Sequence, residues 1–174
     1  MQLHTYSAVK DIFPTDYCRE LSMFGALSDD CLGHLLSEGR IRFCEQDDLL
    51  FSPGEESGHF FVLLSGRIGF SRQKKDKSIF IRSFNVGEQI GFVGMIGLHE
   101  RRGHAIAQEP SYVLEISSSL FHQVCEKFPA DFVIFLINIT REMSREINLL
   151  DGLCADLNTE KSTAAIKTKK NAHL

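Results

Sequence analysis

The sequence predicts a β-barrel, jelly roll or sandwich with helices on both flanks. Three observations carry that expectation. Between Arg40 and Ser117 the chain is a series of short alternating or wholly apolar runs separated by turn residues, at the roughly 8–12-residue spacing of an all-β domain. Before and after it, apolar residues recur at offsets of three and four, the period of helices. No strand and helix alternation is present, which argues against a Rossmann fold.

The elements follow in order. In residues 1–37, Leu21, Phe24 and Leu27, then Leu32, Leu35 and Leu36, predict two short helices joined at Gly25 to Ser28, with Ser28-Asp29-Asp30 capping the second. The strands are expected in IRFC, LLF, FFVLLSGRIGFS, SIFIRSF, HAIAQ and YVLEIS. Turns are expected at Pro53-Gly54, Lys74 to Lys77, Asn85-Val86-Gly87 and Glu109-Pro110. From Ser118 a helix, SSLFHQVCEKF, is capped by Ser118 or Ser119 and broken by Pro129. A second helix runs from Ala130 to Leu150 or Leu153, with Phe132, Phe135, Leu136, Ile139, Met143, Ile147 and Leu150 on one stripe and Arg141, Glu142, Arg145 and Glu146 opposite. That stripe is longer than packing on a small barrel requires, so residues 130–153 are expected to pair with a second copy as a homodimer. The domain reading is a helical segment over 1–37, a barrel with its C-terminal helices over 38–153, and a disordered polar tail over 154–174 carrying Lys161, Lys167, Lys169 and Lys170.

Composition narrows the function. With 174 residues, 43% hydrophobic and 24% charged, the chain supports one core with appendages. No run reaches the roughly 18 apolar residues of a membrane span. The start, MQLHTYSAVKDIF, has no basic head followed by an apolar stretch, so a soluble, cytoplasmic protein is expected. Five cysteines, none in a C-x-x-C pair, signal neither a disulfide framework nor a zinc knuckle. A net charge of -4 provides no general footprint for nucleic acid. His59 has no histidine two residues away, so a cupin-like metal site is not expected. No nucleophile and base motif, paired-carboxylate signature or G-x-x-x-x-G-K loop occurs, and the expectation is a protein without catalytic or metal residues.

Two stretches carry a resemblance. FSPGEESGHFFVLLSGRIGF holds Gly54-Glu55, the apolar run Phe60 to Leu64, and Gly66. NVGEQIGFVGMIG holds Gly87-Glu88 and Ile90-Gly91. In this order they resemble the two signatures of the cyclic nucleotide-binding domain family, over roughly residues 24 to 150. The resemblance implies an eight-stranded jelly-roll barrel, a short phosphate-binding cassette, and a long C-terminal helix that ligand binding repositions. Relatives that activate transcription carry a helix-turn-helix unit after that helix. Here about 20 polar residues follow it, so direct sequence-specific DNA binding is not expected and the output passes to a protein partner.

The resemblance also assigns the cassette. Its members here are Gly91, Phe92, Val93, Gly94, Met95, Arg101, Arg102 and Gly103, with Val93, Met95, Ile96 and Leu98 making the short apolar helix. In the family, an arginine and backbone N–H groups hold the cyclic phosphate, and a glutamate accepts from the ribose 2′-hydroxyl. Phe92 stands in that glutamate's place, and a phenyl ring accepts no such bond, so affinity for a cyclic mononucleotide is expected to be low. The phosphate arginine is Arg101 by its spacing from Gly91 and Ala107, with Arg102 the alternative. Arg102 and Gly103 occupy the places of the small hydroxylated residues that face the base. Two functions follow: a non-enzymatic sensor of a cyclic nucleotide, a cyclic dinucleotide or another small anion, or a ligand-free dimeric adaptor in which Phe92 fills part of the pocket.

Overall fold

The computed structural model describes residues 1–74 and 77–171, and for 158 and 160–171 the backbone alone. It divides into two compact units, Met1–Ile139 and a second that begins at Thr140. In chain order the elements are β1 (Gln2–His4), α1 (Tyr6–Val9), α2 (Thr15–Glu20), α3 (Asp29–Glu38), β2 (Arg40–Cys44), β3 (Leu49–Phe51), β4 (His59–Ser65), β5 (Ile68–Lys74), β6 (Lys77–Phe84), β7 (Gln89–Ile90), α4 (Phe92–Ile96), β8 (His104–Ala107), β9 (Ser111–Ser117), α5 (Ser118–Lys127) and α6 (Pro129–Asn171). Two antiparallel sheets form, ordered β1-β2-β9-β4-β7 and β3-β8-β5-β6. Strands β2 to β9 are the eight of the expected jelly roll, and β1 adds a ninth at one edge by pairing with β2.

Strand β4 organises the first unit. Every residue from Phe60 to Leu64 is fully buried, as an apolar run without polar alternation requires. Successive side chains leave a strand on opposite faces. Phe61 and Leu63 therefore enter the core between the sheets, with Phe51, Leu50, Ile68, Phe84, Ile90 and Val113. Phe60 points the other way, into a second core of rings from Phe92, Phe121 and Phe135.

The N-terminal segment departs from its expected helices. Leu21, Phe24 and Leu27 are buried as the pattern implies, yet they lie in turns after α2 has ended at Glu20, and Ala26 takes a left-handed φ of 64°. Burial produced the three-residue spacing without a helix. These turns are anchored to the start of α6, where the Asn138 Nδ2 donates to Met23 O at 3.4 Å and Gly25 O at 2.8 Å. Ser28 caps α3 by accepting from Cys31 N, and its own N–H and Oγ donate to the Asp131 carboxylate at 2.6 and 2.9 Å.

Around the C-terminal helices the chain follows its local chemistry with small shifts. The cap of α5 is Ser117, one residue before the expected serines, its Oγ accepting from Leu120 N at 3.1 Å. Pro129 ends α5 and opens α6, the first helical position that a proline tolerates. Helix α6 then continues past Leu153 to Asn171, where a disordered polar tail is expected. After Gly152 the sequence has no glycine or proline up to that point, so nothing in it breaks a helix already begun. The lysine side chains expected in that tail, and residues 75 and 76 of the expected Lys74 to Lys77 turn, lie outside the described residues. The apolar stripe is divided: Phe135 and Ile139 are buried within the first unit, while in the second unit Ile147, Leu150, Leu153 and Leu157 are exposed.

Removing the carboxylate that holds Ser28 should loosen α3 and the start of α6 together. Asp131→Ala is expected to lower unfolding free energy by about 2 kcal/mol, since two hydrogen bonds to a charged acceptor are lost. Urea denaturation checks it, and an unchanged midpoint would contradict the tie.

Candidate functional site

The cassette begins where β7 meets Gly91, whose φ of +85° is the left-handed turn that a glycine adopts without strain. Helix α4 starts at the next residue. Its first N–H, that of Phe92, donates to the buried Gln89 Oε1 at 3.0 Å. The sequence pattern did not single out Gln89, because a glutamine before a helix carries no strong capping signal. At the other end Gly97 N and His99 N donate to Val93 O and Gly94 O, and Leu98 protrudes at 92% exposure with φ +50°.

The loop after α4 is fastened to the loop between β3 and β4. Arg101 N donates to Glu55 O at 2.8 Å and Gly54 N donates to Arg101 O at 2.9 Å. This pairing turns the Arg101 side chain inward, where it is 4% exposed. Its Nη1 donates to Gly91 O at 2.9 Å, its Nη2 donates to His59 O at 2.5 Å, and its Cζ lies 4.4 Å above the Phe51 ring. The Nε is buried and has no hydrogen-bond partner. A Cβ on Gly91 would overlap Arg101 Nη1, so the cassette glycine is needed both for its turn and for the passage of the arginine. Burial lowers the Arg101 pKa from its usual value, with Glu55 and Glu115 opposing.

Arg102, the alternative phosphate arginine, is exposed. Gly103 has a structural reason of its own, since a Cβ there would meet Ser71 O and the Phe70 ring at the edge of β8. Gly94 lets the β3–β4 loop approach, for a Cβ would overlap Ser57 Oγ, a buried hydroxyl without a partner. Of the apolar cassette residues, Met95 is buried, whereas Val93 and Ile96 are exposed.

Phe92 is not beside the arginine. Its ring is buried edge-on against Phe60 at 5.1 Å and Phe121 at 5.8 Å, on the outer face of β4. Phe121 in turn meets Phe132 at 4.9 Å and Phe135 at 5.9 Å, on the first turns of α6. Arg101 lies on the inner side, over Phe51 and bonded to the His59 carbonyl. Phe92 thus fastens α4 to β4 and α5, while Arg101 fastens the Gly91 turn to β4 and to the Phe51 ring.

Two further residues of the site were not assigned from the sequence: Phe51 as the ring beneath the guanidinium and His59 as its acceptor. His59 also packs edge-on against Phe61 at 5.0 Å. Burial holds its pKa below the usual histidine value, with Arg101 and Arg42 acting the same way and Glu115 and Glu55 opposing. Burial raises the thiol of Cys18 to about 11 and that of Cys31 to about 12, which disfavours the reactive thiolate at both. Among the described residues no group of three or more His, Cys, Asp or Glu side chains could hold a metal ion, and no helix is long and apolar enough to cross a membrane.

Placing a carboxylate at position 92 would bury it against the rings of Phe60 and Phe121. Phe92→Glu is therefore expected to destabilise the fold by about 3 kcal/mol, and Phe92→Leu by about 1 kcal/mol. Thermal melts of both variants check this, and equal melting temperatures for Glu and Leu would contradict the buried position of the ring. Gly91→Ala should destabilise by more than about 1 kcal/mol, because its φ and the guanidinium both oppose a Cβ.

Comparison with known proteins places this geometry. A family model described as the cyclic nucleotide-binding domain matches residues 41–128. Among solved structures, a cyclic nucleotide-binding domain from Methylobacillus flagellatus superposes with a TM-score of 0.70 at 17% identity, covering 80% of each chain. The sensor domain of the transcriptional regulator DNR from Pseudomonas aeruginosa gives 0.64 at 16% identity, covering 82% of this chain and 93% of that one. The catabolite activator protein of Thermus thermophilus gives 0.59 at 20% identity, over 75% of this chain and 63% of that one. Among curated proteins, a lysophospholipase NTE1 of Cryptococcus neoformans is 24% identical over 99 residues, which are 57% of this chain and 6% of that protein's length.

Proposed function

The chain belongs to the cyclic nucleotide-binding domain family, and on that premise we propose that it is a non-enzymatic sensor module whose cassette takes a small anionic ligand and whose α6 passes the response to a protein partner. One observation carries this reading: Arg101 is buried at the cassette's end with an unpartnered Nε, beside a glycine turn that leaves room for its guanidinium. A buried cation with a spare donor is what a phosphate oxygen satisfies. The likeness in fold to a transcriptional regulator's sensor domain supports the same reading.

The ligand class follows from what is missing. Phe92 offers no acceptor to a ribose hydroxyl and is occupied in the outer aromatic core, so a cyclic mononucleotide loses one of its polar contacts. A cyclic dinucleotide, whose second phosphate can meet the exposed Arg102, fits better than cAMP or cGMP. A second reading has its own support. The Arg101 Nη atoms are already bonded to two carbonyls and Phe92 already fastens α4 to α5, so the cassette holds together without ligand, as a constitutive adaptor requires.

The response reaches α6 through the outer rings, since Phe92 and Phe121 share the cluster that packs Phe132 and Phe135. Further along α6, Ile147, Leu150, Leu153 and Leu157 recur at offsets of three and four and are exposed, and we assign the pairing of two copies to this stretch. Phe135 and Ile139 serve the first unit's own core.

A thermal-shift series with cAMP, cGMP and cyclic di-GMP tests the sensor reading. A ligand at 100 times its Kd should stabilise the protein by about 2.7 kcal/mol. The largest shift is expected for the dinucleotide, with loss of the shift in Arg101→Gln; no shift from any of the three would favour the adaptor. For the pairing, Ile147→Glu combined with Leu150→Glu should halve the sedimenting mass while leaving the melt of the barrel unchanged. A mass identical to that of the unaltered chain would refute this seam.

A further inference from the structure

We propose that His59 makes anion binding at Arg101 proton-linked, so that the site holds a sulfate or phosphoryl group more tightly as the medium becomes acidic. The inference rests on the reading that Arg101 takes the anion, and it adds a regulation that the cassette motif does not contain.

The two residues share one small platform. His59 opens β4, and its carbonyl accepts from Arg101 Nη2 at 2.5 Å. Its ring stands edge-on to Phe61, which stacks at 6.4 Å on Phe51, the ring over which the guanidinium lies at 4.4 Å. Four charged groups act electrostatically on the imidazole: Glu115 from β9, Arg42 from β2, Glu55 from the β3–β4 loop, and Arg101 itself. Glu115 is engaged in an ion pair with Arg42, whose Cζ lies 5.6 Å from the Phe61 ring. The Glu55 carboxylate accepts from Ser52 N at 2.9 Å. His59 is thus half-buried, with both arginines opposing its protonation and with both opposing carboxylates already engaged in other contacts.

In this setting burial and the two arginines favour the neutral ring. An anion on Arg101 adds negative charge beside the imidazole and removes part of the repulsion that opposes its protonation, so the His59 pKa rises on binding. Linkage is reciprocal: whatever ligand raises that pKa must itself bind more tightly to the protonated form. Affinity should be flat above the pKa of the complex, increase as pH falls through the interval between the two pKa values, and level off below the pKa of the free protein. The free value lies below the ordinary 6.5 of a histidine, so the affinity levels off only below that pH.

Sulfate is a suitable probe because its charge is constant over the range. Its binding would be measured by amide NMR at about pH 8 and about pH 5 at constant ionic strength, on the full chain, His59→Gln and Arg101→Gln. The expected result is about 5- to 30-fold tighter binding at the lower pH for the unaltered chain, and less than about twofold change for His59→Gln. In the unaltered chain, the His59 Cε1 proton should titrate at a higher pH with sulfate than without it, a readout that needs no variant to fold. The same pH ratio in His59→Gln as in the unaltered chain, or a His59 titration indifferent to sulfate, would overturn the proposal while leaving the anion site standing. Absence at both pH values of any saturable binding that Arg101→Gln abolishes would overturn the site itself, and the linkage with it.

Discussion

The pleat of β4 is the constraint on which the rest of the molecule depends. Five consecutive apolar residues, Phe60 to Leu64, are buried on both faces, so the strand must have a core on each side. The inner core closes the two sheets on each other. The outer one recruits α4, α5 and the first turns of α6, all through rings that reach Phe60 or its neighbours. Because Phe60 and Phe61 are adjacent, a contact made on one face is one residue away from the other.

That adjacency explains how a degenerate cassette remains ordered. Phe92 is used for packing, and Arg101 for contacts to Gly91, His59 and Phe51. Each half of the motif is stabilised by a different core. The turns from Leu21 to Leu27, tied by Asn138 and flanked by the Ser28 and Asp131 contact, close the outer core from the far side. The helical flanks therefore belong to the barrel's stability.

Much of this was legible in the residues. Strand runs such as FFVLLSG and YVLEIS, punctuated by glycine and proline, announce β4 and β9 without ambiguity, and the paired glycine signatures locate the cassette. The spacing to Gly91 and Ala107 selects Arg101, which is the buried one of the two arginines. What escaped was set by tertiary contact. The strands β1 and β7 are only three and two residues long, and a pattern that short has no period. Leu21, Phe24 and Leu27 show a helical spacing because the same wall buries all three, although the backbone between them turns. The side chosen by Phe92 depends on where Phe121 lies, some thirty residues further along. Nor does composition show that a polar segment after Gly152 keeps helical geometry.

The Arg101 guanidinium is bonded to two backbone carbonyls and stacked on a ring, so much of its charge is already engaged by the protein's own groups. On the proposed reading, an anion that meets only the spare Nε leaves those bonds in place, whereas one that needs Nη1 or Nη2 competes with intramolecular partners of high effective concentration. An anion of the second kind gains only when its charge-assisted bonds are stronger than the carbonyl bonds it replaces. For the anion site proposed above, the arginine's own carbonyl bonds thereby set a threshold that a weakly bonding anion does not pass.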